Sequence, residues 1–272
     1  MLRKPFARLA SRLLLAAGAM IVLPAPAAVV EKAVDYEIDG VTHRGYFYFD
    51  DTVKTARALV LLVPNWLGTN ATNRRQAAEI AGQRYVVFVA DMYGAERQPA
   101  DPQAAGKAVQ ALYGNRALLR ARATAAHAAA VQAAPALGVP ADVSKVAAIG
   151  FCFGGATVLE LARTGIDIAA AVSLHGNLSL PGTIENAPIR ARILALHGDA
   201  DPYVPAEQVE AFVKEMRAAD VDWQLVSYGG AVHSFTDPDA NMPGQAMYDA
   251  KIARRAFATM HDFLAEAFAS VD

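Results

Sequence analysis

The sequence predicts an α/β fold: one domain built on a mostly parallel, doubly wound sheet with helices on both faces. Three observations predict it. Short runs of consecutive apolar residues, such as Ala-Leu-Val-Leu-Leu-Val at 58–63, have the composition of strands covered on both faces. These runs alternate with Ala-rich stretches of helical length, the order that builds a parallel sheet. One run, at 143–151, turns at small residues straight into a further helical stretch.

Taken in order, segments 34–39 and 41–49 alternate around Asp39-Gly40, a turn dipeptide that predicts a β-hairpin. A buried strand follows at 58–63, then a helix over 70–83 and a second buried strand over 85–90 that ends at Asp91. Two helices, 101–112 and 115–134, are closed by Pro135 and the Gly138-Val139-Pro140 breaker. The strand at 143–151 feeds a helix over 156–164. Strands at 168–174 and 193–196 each lead into a polar loop. A helix with Pro205 at its start spans 205–219, a last strand 222–228, and one amphipathic helix 243–269 should pack on the sheet. No repeat or linker divides the chain.

At 272 residues, one domain with a substantial core is the simplest expectation. A net charge of −2, with no basic run beyond the N-terminus, argues against a nucleic-acid partner. The six histidines are scattered and no CxxC occurs, so no metal site is expected. At the N-terminus, Arg3, Lys4, Arg8 and Arg12 precede an apolar stretch at 13–23 and the small residues Pro24-Ala25-Pro26-Ala27-Ala28. This is the layout of a cleaved secretory signal over 1–27, leaving 28–272 as the domain. The stretch is too short for the roughly 20 apolar residues of a membrane span. The expectation is a periplasmic or secreted protein with no stable membrane anchor.

The chemistry centres on Gly150-Phe151-Cys152-Phe153-Gly154-Gly155. The G-x-C-x-G-G pattern is similar to the nucleophile elbow of α/β-hydrolases, with cysteine where serine is usual. Glycines ease the sharp turn, and the helix that follows aims its N–H groups at the sulfur and at a developing oxyanion. Cys152 is the only cysteine, so it forms no disulfide within the chain and is either an inert buried thiol or a catalytic one.

Two loops downstream supply what a thiol nucleophile needs: a histidine to carry the proton and a carboxylate to orient it. The segment 197–205 follows one apolar strand and offers Asp199 and Asp201; the segment 229–235 follows the next and offers His233. The order nucleophile, acid, histidine is that of the α/β-hydrolase triad. His175 also ends a strand but precedes the acid loop, and His197 suits a turn. His43, His127 and His261 read as surface residues.

Gly150–Gly155, Asp201-Pro202-Tyr203-Val204-Pro205 and Val232-His233-Ser234-Phe235 resemble the dienelactone hydrolase family. So do Pro64-Asn65-Trp66-Leu67-Gly68 and Ala90-Asp91-Met92-Tyr93-Gly94, and the likeness runs over 34–264. The resemblance implies a single-domain α/β-hydrolase without metal or cofactor, and a monomer. It selects Asp201 over Asp199, giving Cys152, Asp201 and His233 as the triad, with the backbone N–H groups of Trp66 and Phe153 as the oxyanion hole. Asn65, Tyr93 and Lys107 are pocket candidates.

Two positions depart from the family pattern. Many members carry glutamate where Asn65 stands, a group thought to keep the resting cysteine neutral; without it, a resting thiolate–imidazolium pair is expected. Members that act on dienelactone grip its carboxylate with basic residues, where segment 101–108 offers only Lys107, with Arg97 as a second candidate. The expected function is therefore an exported hydrolase of carboxylic esters or lactones working through an acyl-cysteine. A thioesterase or acyltransferase on the same triad, or a non-catalytic ligand-binding protein, are the alternatives.

Overall fold

The structure, a computed structural model, describes residues 29–269. The expected signal segment lies outside the described residues. In chain order the elements are β1 (Val29–Ile38), β2 (Val41–Asp50), β3 (Arg57–Val63), α1 (Ala71–Ala81), β4 (Val86–Val89), α2 (Pro102–Tyr113) and α3 (Arg116–Ala136). Then come β5 (Ala141–Phe151), α4 (Phe153–Ala162), β6 (Ala170–Leu174), β7 (Arg192–Gly198), α5 (Ala206–Ala219) and β8 (Trp223–Tyr228). A short hairpin, β9 (Asn241–Met242) with β10 (Ala246–Met247), precedes α6 (Ala250–Ala269).

Eight strands form one sheet in the order β1-β2-β4-β3-β5-β6-β7-β8. The hairpin β1–β2 and the β2–β4 pair are antiparallel, and every other pair is parallel. From β3 the chain steps one way to β4 and then back across to β5. The strand order thus reverses between β3 and β5, and in open α/β sheets the crevice at the carboxyl ends of such strands is where ligands bind. Val63 pairs with Gly150 at that point, so the segments that begin at Pro64 and Phe151 emerge side by side.

Alternation along each strand sends side chains to two separate cores. Leu59, Leu61 and Phe88 pack with α2, α3, α4 and α5 residues such as Leu112, Leu119, Val158 and Phe212. Val60, Leu62, Val87 and Ile149 pack on the other face with Ile80 of α1 and with Met260 and Leu264 of α6. Helix α4 is buried all round and carries the fully buried Glu160. Its carboxylate accepts from Arg116 and Arg120 of α3 and from Arg163, which reaches on to Glu215 of α5. Burial works to raise this carboxyl, but the arginines prevail and hold it below its usual range. Among the described residues no helix is long and apolar enough to cross a membrane.

The structure departs from the sequence expectations at identifiable places. Strand β1 starts at Val29, five residues early, because β2 is long enough to pair with it as far as Asp50. Helix α3 takes in Pro135 at the cost of one backbone bond and ends a residue later at Ala136. Helix α4 begins at Phe153, so Gly154 and Gly155 lie inside its first turn. The expected helix over 243–269 begins only at Ala250, where the Asp249 carboxylate caps the N–H groups of Lys251 and Ile252. Ahead of it, Pro243-Gly244 turns the β9–β10 hairpin, with Gly244 at φ 73°. His43 is fully buried rather than on the surface: it stacks on Tyr36 at 5.6 Å and its Nδ1 bonds the Val41 carbonyl at 2.9 Å.

Candidate active site

Cys152 sits between β5 and α4 with φ 55° and ψ −115°, a region that side chains other than glycine avoid. Its N–H donates to the Leu174 carbonyl at 3.0 Å, which fixes the turn against β6. The glycines around it serve closeness of approach. A Cβ on Gly150 would lie 2.1 Å from the Gly154 oxygen, and one on Gly154 would lie 2.0 Å from the Val63 oxygen. The strained φ is borne by the cysteine itself, and none of Gly150, Gly154 and Gly155 is at positive φ.

The half-buried Cys152 Sγ is 3.0 Å from His233 Nε2, and His233 Nδ1 is 2.7 Å from Asp201 Oδ2. The other Asp201 oxygen accepts the Tyr203 N–H at 2.9 Å. His233 is held in turn by its backbone: its N–H donates to the Gln245 carbonyl, and its carbonyl accepts from Met247, both across the β9–β10 hairpin. Burial works to lower the His233 pKa, but negative charge at the Cys152 sulfur and the Asp201 carboxylate outweigh it, pushing the imidazole up to about 10.

The competing groups fall elsewhere. Asp199 is exposed, with its N–H on the Tyr228 carbonyl. His175 is fully buried at φ 41° behind His233, ring centroids 5.4 Å apart, with Nε2 on Thr236 Oγ1 at 2.7 Å. Burial, then the neighbouring His233, pushes it well below the usual histidine range, so it stays neutral. His197 is also buried, and its Nδ1 has no partner.

On the β3 side, the loop at 64–68 is tied from several directions. Asn65 Oδ1 accepts from the Leu67 N–H at 3.0 Å and from Asn73 Nδ2 at 2.9 Å, while Asn65 Nδ2 donates to Asp237 at 3.2 Å. The Tyr93 hydroxyl donates to the Trp66 carbonyl at 2.9 Å. The N–H of Phe153, first residue of α4, is one of those that a helix leaves unbonded. Buried Tyr93 stacks on Phe153 at 5.8 Å, and Tyr113 meets the same ring at 5.8 Å. Burial, with the Cys152 charge adding, raises the pKa of both tyrosines, so both hydroxyls stay protonated.

The structure therefore gathers Cys152, His233, Asp201, Trp66, Phe153, Asn65 and Tyr93 at one end of the sheet. Lys107 and Arg97 are both exposed, and neither side chain is bonded to these groups. Lys107 lies on the outer side of α2, whose neighbouring Gly106 is the residue turned toward Trp66. Three residues at the site have no role legible in the sequence, although Tyr203 lies within the 201–205 motif. Tyr113 is an ordinary aromatic at a helix end, while Tyr203 and Gln245 act only through packing between loops distant in sequence. Among the described residues no cluster of three or more His, Cys, Asp or Glu side chains is placed to hold a metal ion.

A mostly parallel sheet with helices on both faces, and a nucleophile-type elbow at its strand-order reversal, define an α/β-hydrolase. The chain belongs to the dienelactone hydrolase family, whose sequence profile matches residues 44–268. It is a carboxylic-ester hydrolase acting on a small-molecule substrate. An uncharacterized Caenorhabditis elegans protein is 42% identical over 135 residues, 47% of this chain and 84% of that one. A carboxymethylenebutenolidase homolog of Rattus norvegicus is 26% identical over 190 residues, 65% of this chain and 69% of that one. The crystal structure of a dienelactone hydrolase-like promiscuous phosphotriesterase from metagenomic libraries superimposes with a TM-score of 0.79 at 38% identity, covering 89% of this chain and 99% of that one.

Proposed function

We propose that the protein hydrolyses carboxylic esters or lactones through an acyl-cysteine intermediate, with Cys152 as nucleophile, His233 as proton carrier and Asp201 as its orienting acid. The observation that carries this reading is the unbroken line of contacts from Cys152 Sγ through both His233 nitrogens to Asp201. The 3.0 Å contact between Cys152 Sγ and His233 Nε2, backed by Asp201 on the far nitrogen, supports a resting thiolate–imidazolium pair. Asn65, whose side chain is committed to Leu67, Asn73 and Asp237, holds the loop in shape and has no proton to exchange with the sulfur.

In the first step the sulfur pair attacks the acyl carbon and the carbonyl π pair moves onto oxygen. The N–H groups of Trp66 and Phe153 stabilise that oxyanion. Collapse expels the alcohol oxygen, which takes the proton from His233. Water then gives a proton to His233 and adds to the thioester; collapse releases the acid and restores the thiolate. Trp66 and Tyr113, both partly buried, are the aromatic surfaces left for substrate near the elbow, and they suit uncharged acyl groups better than a carboxylate such as dienelactone carries.

Export through the basic and apolar N-terminal segment, and a monomeric state, complete the reading. Transfer of the acyl group to an acceptor other than water would use the same intermediate. Phosphotriester hydrolysis is a second reading, favoured by the 38% identity to the promiscuous phosphotriesterase. The test is hydrolysis of a short-chain 4-nitrophenyl ester by the protein and by Cys152→Ala. Loss of activity with the cysteine is expected, and equal rates would overturn the assignment.

A further inference from the structure

Tyr203 is 45% exposed, yet it touches Asp201, the His233 ring and Gln245. Its N–H donates to Asp201 Oδ1 at 2.9 Å. Its ring meets the His233 imidazole at 5.1 Å and 84°. Its hydroxyl is 3.1 Å from Gln245 Oε1, in the turn between β9 and β10. The same Gln245 accepts the His233 N–H on its carbonyl and donates its own N–H to Met242. The histidine loop needs such support, because Ser234, immediately after His233, is held at φ 56°, and strained backbone persists only where its surroundings over-determine it.

We propose that Tyr203 is a positioning residue for His233: its ring walls the imidazole on the solvent side, and its bond to Gln245 locks the acid loop to the hairpin that carries the His233 backbone. The proposal rests on the reading of His233 as the proton carrier. An imidazole with both nitrogens engaged must keep one ring orientation, and by analogy with the groups that orient metal-bound histidines, worth about 10–100-fold when removed, losing its support should cost activity. The inner side of the imidazole is already met by His175. Tyr203 supplies the outer side, where water would otherwise reach the ring.

Besides Tyr203 itself, the titratable groups facing His233 are Cys152, Asp201, His175 and His197, and the variants below alter none of these four. Tyr203→Ala, Tyr203→Phe and Gln245→Ala are compared with the parent in ester kinetics and in the pH dependence of Cys152 alkylation by iodoacetamide. For Tyr203→Ala, kcat is expected to fall about tenfold with KM within about twofold. The acid limb of alkylation should move to higher pH, as a loosened imidazole pairs less well with the sulfur. Tyr203→Phe keeps the wall and loses the tie, so it and Gln245→Ala should fall between parent and Tyr203→Ala. A Tyr203→Ala protein that changes only KM, or keeps its acid limb unmoved, overturns the proposal and makes the residue part of the substrate wall. If Cys152→Ala hydrolyses the ester as fast as the parent, the reading of the site fails. The alkylation limb still decides the question for Tyr203, since it needs no turnover, and the near-isosteric Tyr203→Phe guards against misfolding.

Discussion

Gly154 lies directly under the end of β3, so close that a Cβ there would stand 2.0 Å from the Val63 carbonyl oxygen. This contact sets the distance between the start of α4, which carries the Phe153 N–H, and the loop that carries the Trp66 N–H. Two donors on different elements can converge on one oxyanion only if that distance is short. Gly154→Ala must push α4 away from β3. It should destabilise the fold by about 1–3 kcal/mol, as overpacking does, and lower kcat beyond the loss of folded protein. A denaturation midpoint and a kcat that both match the parent would refute the steric argument.

Asp201 and Asp199 stand two residues apart and make a clean comparison. Asp201→Asn can no longer hold the His233 Nδ1–H, so kcat should fall by about 10⁴, the loss seen when a triad imidazole takes the wrong tautomer. Asp199→Asn changes only an exposed carboxylate and should stay within about twofold. Ester kinetics on the two variants decide between the acids, and a reversed ranking would reassign the role.

The His233 proton has consequences for reactivity and for stability. A sulfur paired with imidazolium should alkylate with iodoacetamide well below the pH at which an ordinary thiol, of pKa about 8.5, loses its reactivity. Alkylation that already failed near pH 7.5 would count against the resting ion pair. For stability, the folded protein keeps this proton to about pH 10, whereas an unperturbed histidine releases it near 6.5. The contribution is therefore full below pH 6.5 and is lost as pH rises toward 10. Urea midpoints measured across that window should decline for the parent and decline less for His233→Gln.

Glu160 is the anionic centre of the arginine cluster behind the elbow, and its removal would leave buried guanidinium groups uncompensated. Glu160→Gln should cost about 3–5 kcal/mol, read from chemical denaturation. Its activity per folded molecule should remain near the parent's, because none of the cluster touches the sulfur. A variant as stable as the parent would mean that the arginines are satisfied without the carboxylate.

The parallel strands and the elbow were legible because both are local: a buried strand writes itself as an apolar run, and the turn as glycines flanking a cysteine. The acid and the histidine could be found because each follows such a strand. What escaped the sequence is made by packing between distant segments. The β9–β10 hairpin is masked in the sequence by the helical stretch behind it, although Pro243-Gly244 is a turn dipeptide. His43 looked like a surface residue in an alternating strand, and only the stacking of Tyr36 shows that its side of the strand is covered. Along α2 it is Gly106 that faces Trp66, while Lys107 is exposed, a difference that the rotation of the helix makes and the bare sequence does not show.

The chain contains one cysteine, and that cysteine is the sulfur at the elbow. Any thiol-selective electrophile thus has a single address on each molecule. A mass shift of one adduct per chain would count competent sites in a preparation, and the unlabelled remainder would report how much of it is inactive. Turnover numbers for this hydrolase can be referred to titrated sites rather than to total protein.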